Sequence, residues 1–425
     1  MKNNRVLITG GAGFIGVAVA KLLVAEGCSV LLFDNLSAQI HGAIPDMSAL
    51  QSLPRTQVDV MRGDVARDAD WTAALENVQT VVHLAAETGT AQSMYEISRY
   101  TEINAGGTAR LLDHLANHRH DVRKIVLASS RSVYGEGAYR CRRCGPVYPP
   151  TRGEDMLRRG EWQPRCPGCK NTIEATATSE AAKTAPASVY AATKLAQEHL
   201  VRVAAQALGI PAIIYRFQNV YGEGQSLKNP YTGILSIFSN QLRLGKTIQL
   251  YEDGEESRDF VHVSDVARAV GLAITSDSAE GTTLNVGSGQ PTSVREIALL
   301  LADRFGVRTP PVISGQYRLG DVRHGYADLT SLRACLQFTP LISLDEGLTR
   351  FVEWVKTQPE EPDRLDRATQ ELVARGLMPE QFSADIAHET SGTADAILNK
   401  NVRDDLPDDL SDQRAAYAQS KRASV

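Results

Sequence analysis

The stretch from Arg5 to Gly27 limits this chain more than any other. The apolar run RVLIT ends in GGAGFIG and passes at once into VAVAKLLVAEG, whose apolar residues recur at helical spacing. Strand, glycine turn and helix in such close succession predict a βα unit of a parallel sheet. Gly10, Gly13 and Gly16 give G-x-x-G-x-x-G, in which the early glycines let backbone approach a pyrophosphate and the last lets helix and strand pack closely. Phe14 and Ile15 open the helix, whose free N–H groups face the phosphates. A plain tight turn is the competing reading of the glycines alone.

The next apolar runs strengthen the dinucleotide reading. SVLLFDN ends in Asp34, followed by Asn35 and Ser37, where an acid hydrogen-bonds an adenosine ribose; no arginine follows to receive a 2′-phosphate, which favours NAD over NADP. Asp64 and Val65 in MRGDV follow a third strand, and Asp64 is either an adenine contact or a turn aspartate. VQTVVHLAAETG is a fourth strand, ending at Leu84, Ala85 and Ala86, small enough for something to lie against the backbone. His83 reads as a packed strand histidine.

The bulk properties exclude several classes. A net charge of −5 over 425 residues offers nucleic acid or an anionic membrane no general attraction, so an anionic ligand needs local cations. The glycine turn comes too early for a signal peptide, and no run approaches the roughly 20 apolar residues of a membrane span, so a cytoplasmic location is expected. Four of six cysteines stand as Cys141-x2-Cys144 and Cys166-x2-Cys169, a spacing that fits a four-thiolate structural zinc ribbon; a disulfide pair and a redox C-x-x-C are the rivals. Trp162 is expected to pack on the metal site.

TGGAGFIG, HLAA, NAGGT (Asn104–Thr108), SSRSVYG and YAATK (Tyr190–Lys194), taken in this order, resemble the extended short-chain dehydrogenase/reductase family of nucleotide-sugar epimerases and dehydratases, over about residues 5 to 355. The resemblance implies a doubly wound parallel (Rossmann) α/β sheet binding NAD, with Asn104 among the cofactor residues. It further implies a smaller C-terminal lobe for a nucleotide-diphosphate sugar, and a homodimer paired through helices near 92–117 and 188–208. The domains expected are 1–138 with 181–215 for NAD, 139–180 for the zinc insert, 216–356 for the sugar nucleotide, and an acidic, partly flexible 357–425 tail containing one amphipathic helix.

By the same resemblance, Ser130, Tyr190 and Lys194 are catalytic. A phenol is a poor base at neutral pH, and Lys194, one helical turn on, favours its ionised form. Where dehydratases resemble S-T-D-E-V-Y-G, this chain has Arg131 and Ser132, and neither removes a C5 proton, so the residues argue against dehydration. Glu87, Thr88, Ser130, Arg131, Ser132, Asn219, Arg258 and Arg318 are the substrate candidates, with the two last arginines clamping the diphosphate; for Arg323 an ion pair is an equal reading. AAETGTAQSMYEISRY with the cysteine insert resembles the narrower set of dTDP-L-rhamnose 4-epimerases. A UDP-hexose 4-epimerase, a 4-reductase and a non-catalytic NAD-binding scaffold stay open beside it.

Overall fold

The computed structural model describes residues 4–45, 47–231 and 233–379. Seven strands, β1 (Arg5–Thr9), β2 (Ser29–Asp34), β3 (Val58–Arg62), β4 (Thr80–His83), β5 (Lys124–Ser130), β6 (Ala212–Phe217) and β7 (Thr283–Val286), form one sheet in the order β7-β6-β5-β4-β1-β2-β3. Every pairing in it is parallel. Such strands are apolar on both faces because helices cover both. Val6 and Ile8 of β1 belong to one core, with α1 (Phe14–Ala25) and α5 (Val263–Thr275); Leu7, between them, belongs to the other, with α2 (Gly107–Asn117) and α3 (Val189–Leu208). The strand order reverses between β1 and β4, which opens a crevice at their carboxyl ends.

A second lobe packs α4 (Ile234–Arg243), α6 (Val294–Phe305) and α7 (Leu344–Thr357) around a separate core of Phe238, Ile297, Leu301 and Phe351. Ser293 caps α6, its hydroxyl accepting from Glu296 N at 3.1 Å. Between β5 and α3 the cysteine insert folds as a small sheet of Tyr139–Cys141, Gly145–Val147 and Glu174–Ala175.

Two elements differ from a plain reading of the sequence. The segment before α2 is a chain of short turns ending in a π-helix, Thr101–Gly106, which carries Asn104. The amphipathic helix expected in the C-terminal tail is present as α8 (Leu365–Val373), and it docks: Ala368, Leu372 and Met378 are buried, and Glu371 Oε2 accepts from both Tyr95 (3.0 Å) and Tyr231 (2.8 Å). The tail from 380 onward lies outside the described residues. Among the described residues no helix is long and apolar enough to cross a membrane.

Candidate active site

The glycine turn is built around two close approaches. Gly10 has φ +65°, and a Cβ there would lie 2.9 Å from Ala85 N; a Cβ on Gly16 would lie 2.6 Å from Gly10 O. The turn and the end of β4 therefore meet backbone to backbone, where the sequence puts small residues. Asp34 closes the third side, its carboxylate accepting from Ala12 N at 3.0 Å and Leu36 N at 2.8 Å. Asn35 bridges outward, its amide donating to Asp64 at 3.1 Å while its oxygen accepts from Ser37 N. Asp64 also accepts from Ala66 N, and Val65 beside it is buried in the core.

His83 is a packed strand histidine. Its Nδ1 lies 2.7 Å from Thr9 Oγ1 and its Nε2 3.0 Å from Thr108 Oγ1. Burial, with Lys194 nearby, pulls its pKa down to about 3, so the imidazole is neutral. An unfolded chain takes up this proton near 6.5 and the folded one near 3, so stability rises with pH across that window and falls on acidification through it. We expect the wild-type melting temperature to drop between pH 6.5 and 4 and His83→Gln to flatten that drop. Parallel curves in thermal melts against pH would remove the assignment.

Helix α3 starts at Ser188, whose hydroxyl accepts from Ala191 N at 3.2 Å, and this cap sets the register of Tyr190, Lys194 and Glu198 on one face. The Ser130 hydroxyl at the end of β5 donates to the Tyr190 phenol oxygen and accepts from Ser132 N and Ser132 Oγ. Its ring stands edge-on to Tyr100, with centroids 6.5 Å apart. Burial pushes the phenol above its ordinary pKa, and Ser130 and Arg131 pull the other way. Lys194 Nζ donates to Ala128 O at 2.9 Å, and burial lowers it to about 7 against the upward pull of Glu198. The lysine is thus anchored on β5 backbone, and burial works against the positive charge it is expected to lend the phenol. Glu198 is itself clamped by Arg216, at 2.9 and 2.7 Å, and accepts from Ser129 Oγ at 2.5 Å.

Three arginines stand without a direct ion pair, although the Asp321 carboxylate acts on Arg131 and Arg318 from a longer distance. Among the described residues no carboxylate pairs with Arg131, Arg258 or Arg318 within ion-pair distance. Arg131 is lowered to about 9 by burial and by Arg258, and a Cβ on Gly325 would lie 2.5 Å from its Nη1. Arg258 donates only to backbone, at Ser257 O and Arg323 O. Arg318 lies 4.7 Å over the Tyr251 ring and donates to its hydroxyl, with Nε buried and unpartnered. Asn219 Oδ1 is likewise buried without a partner. Clustered cations of this kind fit an anion that completes them. Arg323 is different: fully buried, it pairs with Glu252 at 2.9 Å and Asp253 at 2.7 Å, so of its two sequence readings the ion pair is the one observed.

Other sequence candidates have protein partners. Asn104 spends its amide on Glu87 N, Glu87 O and Thr193 Oγ1, tying the loop after β4 to α3. Glu87 pairs with Arg99 at 2.8 Å, and Thr88 O accepts from Tyr100 OH. Sequence reasoning missed the Glu198–Arg216 pair, though Glu198 stands at the four-residue spacing after Lys194, and missed Tyr251, which carries no such signal.

The four cysteines converge: one Sγ from each lies within 4.8 Å of the others, and Cys141 Sγ is 3.5 Å from Cys169 Sγ. Zinc–thiolate bonds of ~2.3 Å in a tetrahedron put sulfurs ~3.8 Å apart, so the donor set fits the ion, and a sulfur–sulfur bond of ~2.0 Å does not fit these separations. Gly168 and Cys169 backbone N–H groups bond the Cys166 sulfur. Trp162 departs from expectation: it packs on Tyr317 of the second lobe, centroids 6.2 Å apart, outside the apolar cluster of Tyr139, Cys141, Cys166 and Ile173.

Comparison with known proteins agrees with this geometry. The model of the NAD dependent epimerase/dehydratase family matches residues 6–153 and 163–287, the break falling inside the cysteine insert. A dTDP-L-rhamnose 4-epimerase of Burkholderia thailandensis is 40% identical over 353 residues, 83% of this chain and 94% of that one. Of solved structures, the UDP-glucose 4-epimerase of Thermotoga maritima with UDP-glucose aligns with a TM-score of 0.68 at 27% identity, covering 83% of this chain and 98% of the other. MoeE5 in complex with UDP-glucuronic acid and NAD aligns with a TM-score of 0.65 at 30% identity, covering 83% and 99%. With a family model matched over more than half of its length and a relative 40% identical over most of both chains, the chain belongs to the NAD dependent epimerase/dehydratase family.

Proposed function

We propose that the chain is an NAD-dependent nucleotide-sugar 4-epimerase that interconverts dTDP-L-rhamnose and dTDP-6-deoxy-L-talose. The observation that carries this reading is the meeting of Ser130, Tyr190 and Lys194 at the switch-point crevice, with Arg131 and Ser132 where a dehydrating relative has an acid pair. The glycine turn and Asp34 hold the dinucleotide. NAD+ held there would supply the hydride acceptor and donor for C4. Tyr190 as phenolate takes the 4-hydroxyl proton, Ser130 holds the same oxygen, and Tyr190 gives the proton back after the 4-keto sugar has turned its other face. Arg258 and Arg318 hold the diphosphate while it turns. No redox equivalent is consumed over the cycle.

The same reading makes the four-cysteine cluster a structural zinc site, since four thiolates leave no open position for chemistry. It makes the assembly a homodimer through α2 and α3, whose outer residues include Val203, 70% exposed. The 40% identity to a dTDP-L-rhamnose 4-epimerase supports the choice of sugar. The test is NMR of purified protein with a panel of dTDP- and UDP-sugars and no added cofactor. Inversion at C4 of dTDP-L-rhamnose is expected. Inversion of UDP-hexoses alone rejects the substrate, a stoichiometric demand for reduced cofactor rejects the epimerase, and inertness toward the whole panel favours a scaffold.

A further inference from the structure

We propose that the cysteine insert acts on the substrate site through Arg152, a positioning residue for the two arginines that face the diphosphate. The inference rests on the reading that Arg258 and Arg318 bind that group. Arg152 belongs to the insert, yet its side chain is almost wholly buried away from the cysteines, 1% exposed. Its four hydrogen bonds all leave along one guanidinium fork. Nε donates to Glu136 Oε1 at 3.3 Å, Nη1 to Glu252 Oε2 at 2.7 Å and to Trp162 O at 3.0 Å, and Nη2 to Asp321 O at 2.9 Å.

Two of those partners lead to the clamp. Asp321 sits in the turn that begins at Arg318, its N–H donating to Arg318 O at 3.3 Å, so Arg152 grips that turn by its backbone. Glu252 shares its Oε2 with Arg323, whose own N–H donates to Glu136 Oε2 at 2.9 Å. Arg323 O in turn accepts from Arg258 Nη1 at 3.0 Å. One buried guanidinium thus reaches Arg318 through one backbone turn and Arg258 through another. The acids Glu136, Glu252 and Asp253 are used up on Arg152 and Arg323, which leaves the positive charge of Arg258 and Arg318 for a ligand.

The insert grips the same strip elsewhere. Trp162 packs on Tyr317, the Gln163 amide lies 3.0 Å from His324 Nε2, and Thr178 bonds backbone to Tyr326 and Asp328. A metal-knuckle insert between β5 and α3 is therefore a brace for residues 317–328. Lysine at 152 keeps the charge but not the planar fork, so it cannot hold four partners in these directions.

The test compares wild type, Arg152→Lys and Arg152→Met as full chains. The expected result for Arg152→Lys is a KM for the nucleotide sugar and a Kd for dTDP raised about tenfold, the scale of one lost charge-assisted hydrogen bond. kcat should stay within about threefold, and bound NAD and metal content should be unchanged. Hydrogen exchange over 317–325 should speed up in the same variant. Arg152→Met strands two buried carboxylates, so if it does not fold, the lysine variant decides. Wild-type dTDP affinity and unaltered exchange in Arg152→Lys overturn the inference, as does a matched loss of kcat, NAD and dTDP binding. Failure of the wild type to bind dTDP instead overturns the reading on which it rests.

Discussion

Tyr190→Phe should lower C4 inversion by about a thousandfold, within the ~10²–10⁴ range that a positioned proton-transfer group supplies, while the protein folds and retains its dinucleotide. The ring's edge-on contact with Tyr100 survives in phenylalanine, and the backbone N–H that donates to Ser93 Oγ is untouched, so only the hydroxyl and its bond to Ser130 are lost. The pH profile makes the assignment sharper. Burial raises the phenol, so the ionised form and the rate grow as pH rises; Lys194, lowered to about 7, gives up its charge above that value and removes support for the phenolate. The wild type should therefore rise and then level or fall with pH, and the residual rate of Tyr190→Phe should show no rising limb. Activity within tenfold of wild type would assign the base elsewhere.

Glu198→Ala should be the most destabilising single change near the site. Glu198 and Arg216 are both buried, joined by two bonds, with Ser129 on the same carboxylate. Removing one partner strands a buried guanidinium, which costs ~3–5 kcal/mol. Replacing both, as Glu198→Leu with Arg216→Met, should recover much of that, because the stranded charge and not the missing attraction dominates. The single change also removes the one charge that raises Lys194. Chemical denaturation of the two variants measures both effects. A loss below ~1 kcal/mol for Glu198→Ala would show that Arg216 finds solvent.

What the sequence discloses here is what short stretches of chain decide. The glycine turn and the acid at the end of β2 involve residues whose geometry follows from neighbours or from one βα repeat, and they stand where the residues predict. Partner choice across long separations does not show. Arg318 and Arg323 lie five residues apart in sequence, yet Arg323 pairs with Glu252 and Asp253 while Arg318 donates to a tyrosine hydroxyl. Asn104 looks like a ligand residue, but its amide is spent on Glu87 and Thr193. Trp162 follows the cysteines in expectation and a tyrosine of the other lobe in space. The docking of α8 includes one glutamate meeting two tyrosines from distant parts of the chain.

The placement of Tyr190, Lys194 and Glu198 at equal intervals makes the first half of α3 a ruler clamped by Ser188 at the helix start and by Arg216 at Glu198 in its middle. Each added residue turns a helix by ~100°. Lengthening the connection between the insert and Ser188 would leave all three marks on the ruler aligned. One residue inserted between Tyr190 and Lys194 would swing the hydroxyl off the crevice while the ammonium and carboxylate stayed put. Natural and designed length changes can thus gather in the loops on either side of this helix but not within its first two and a half turns.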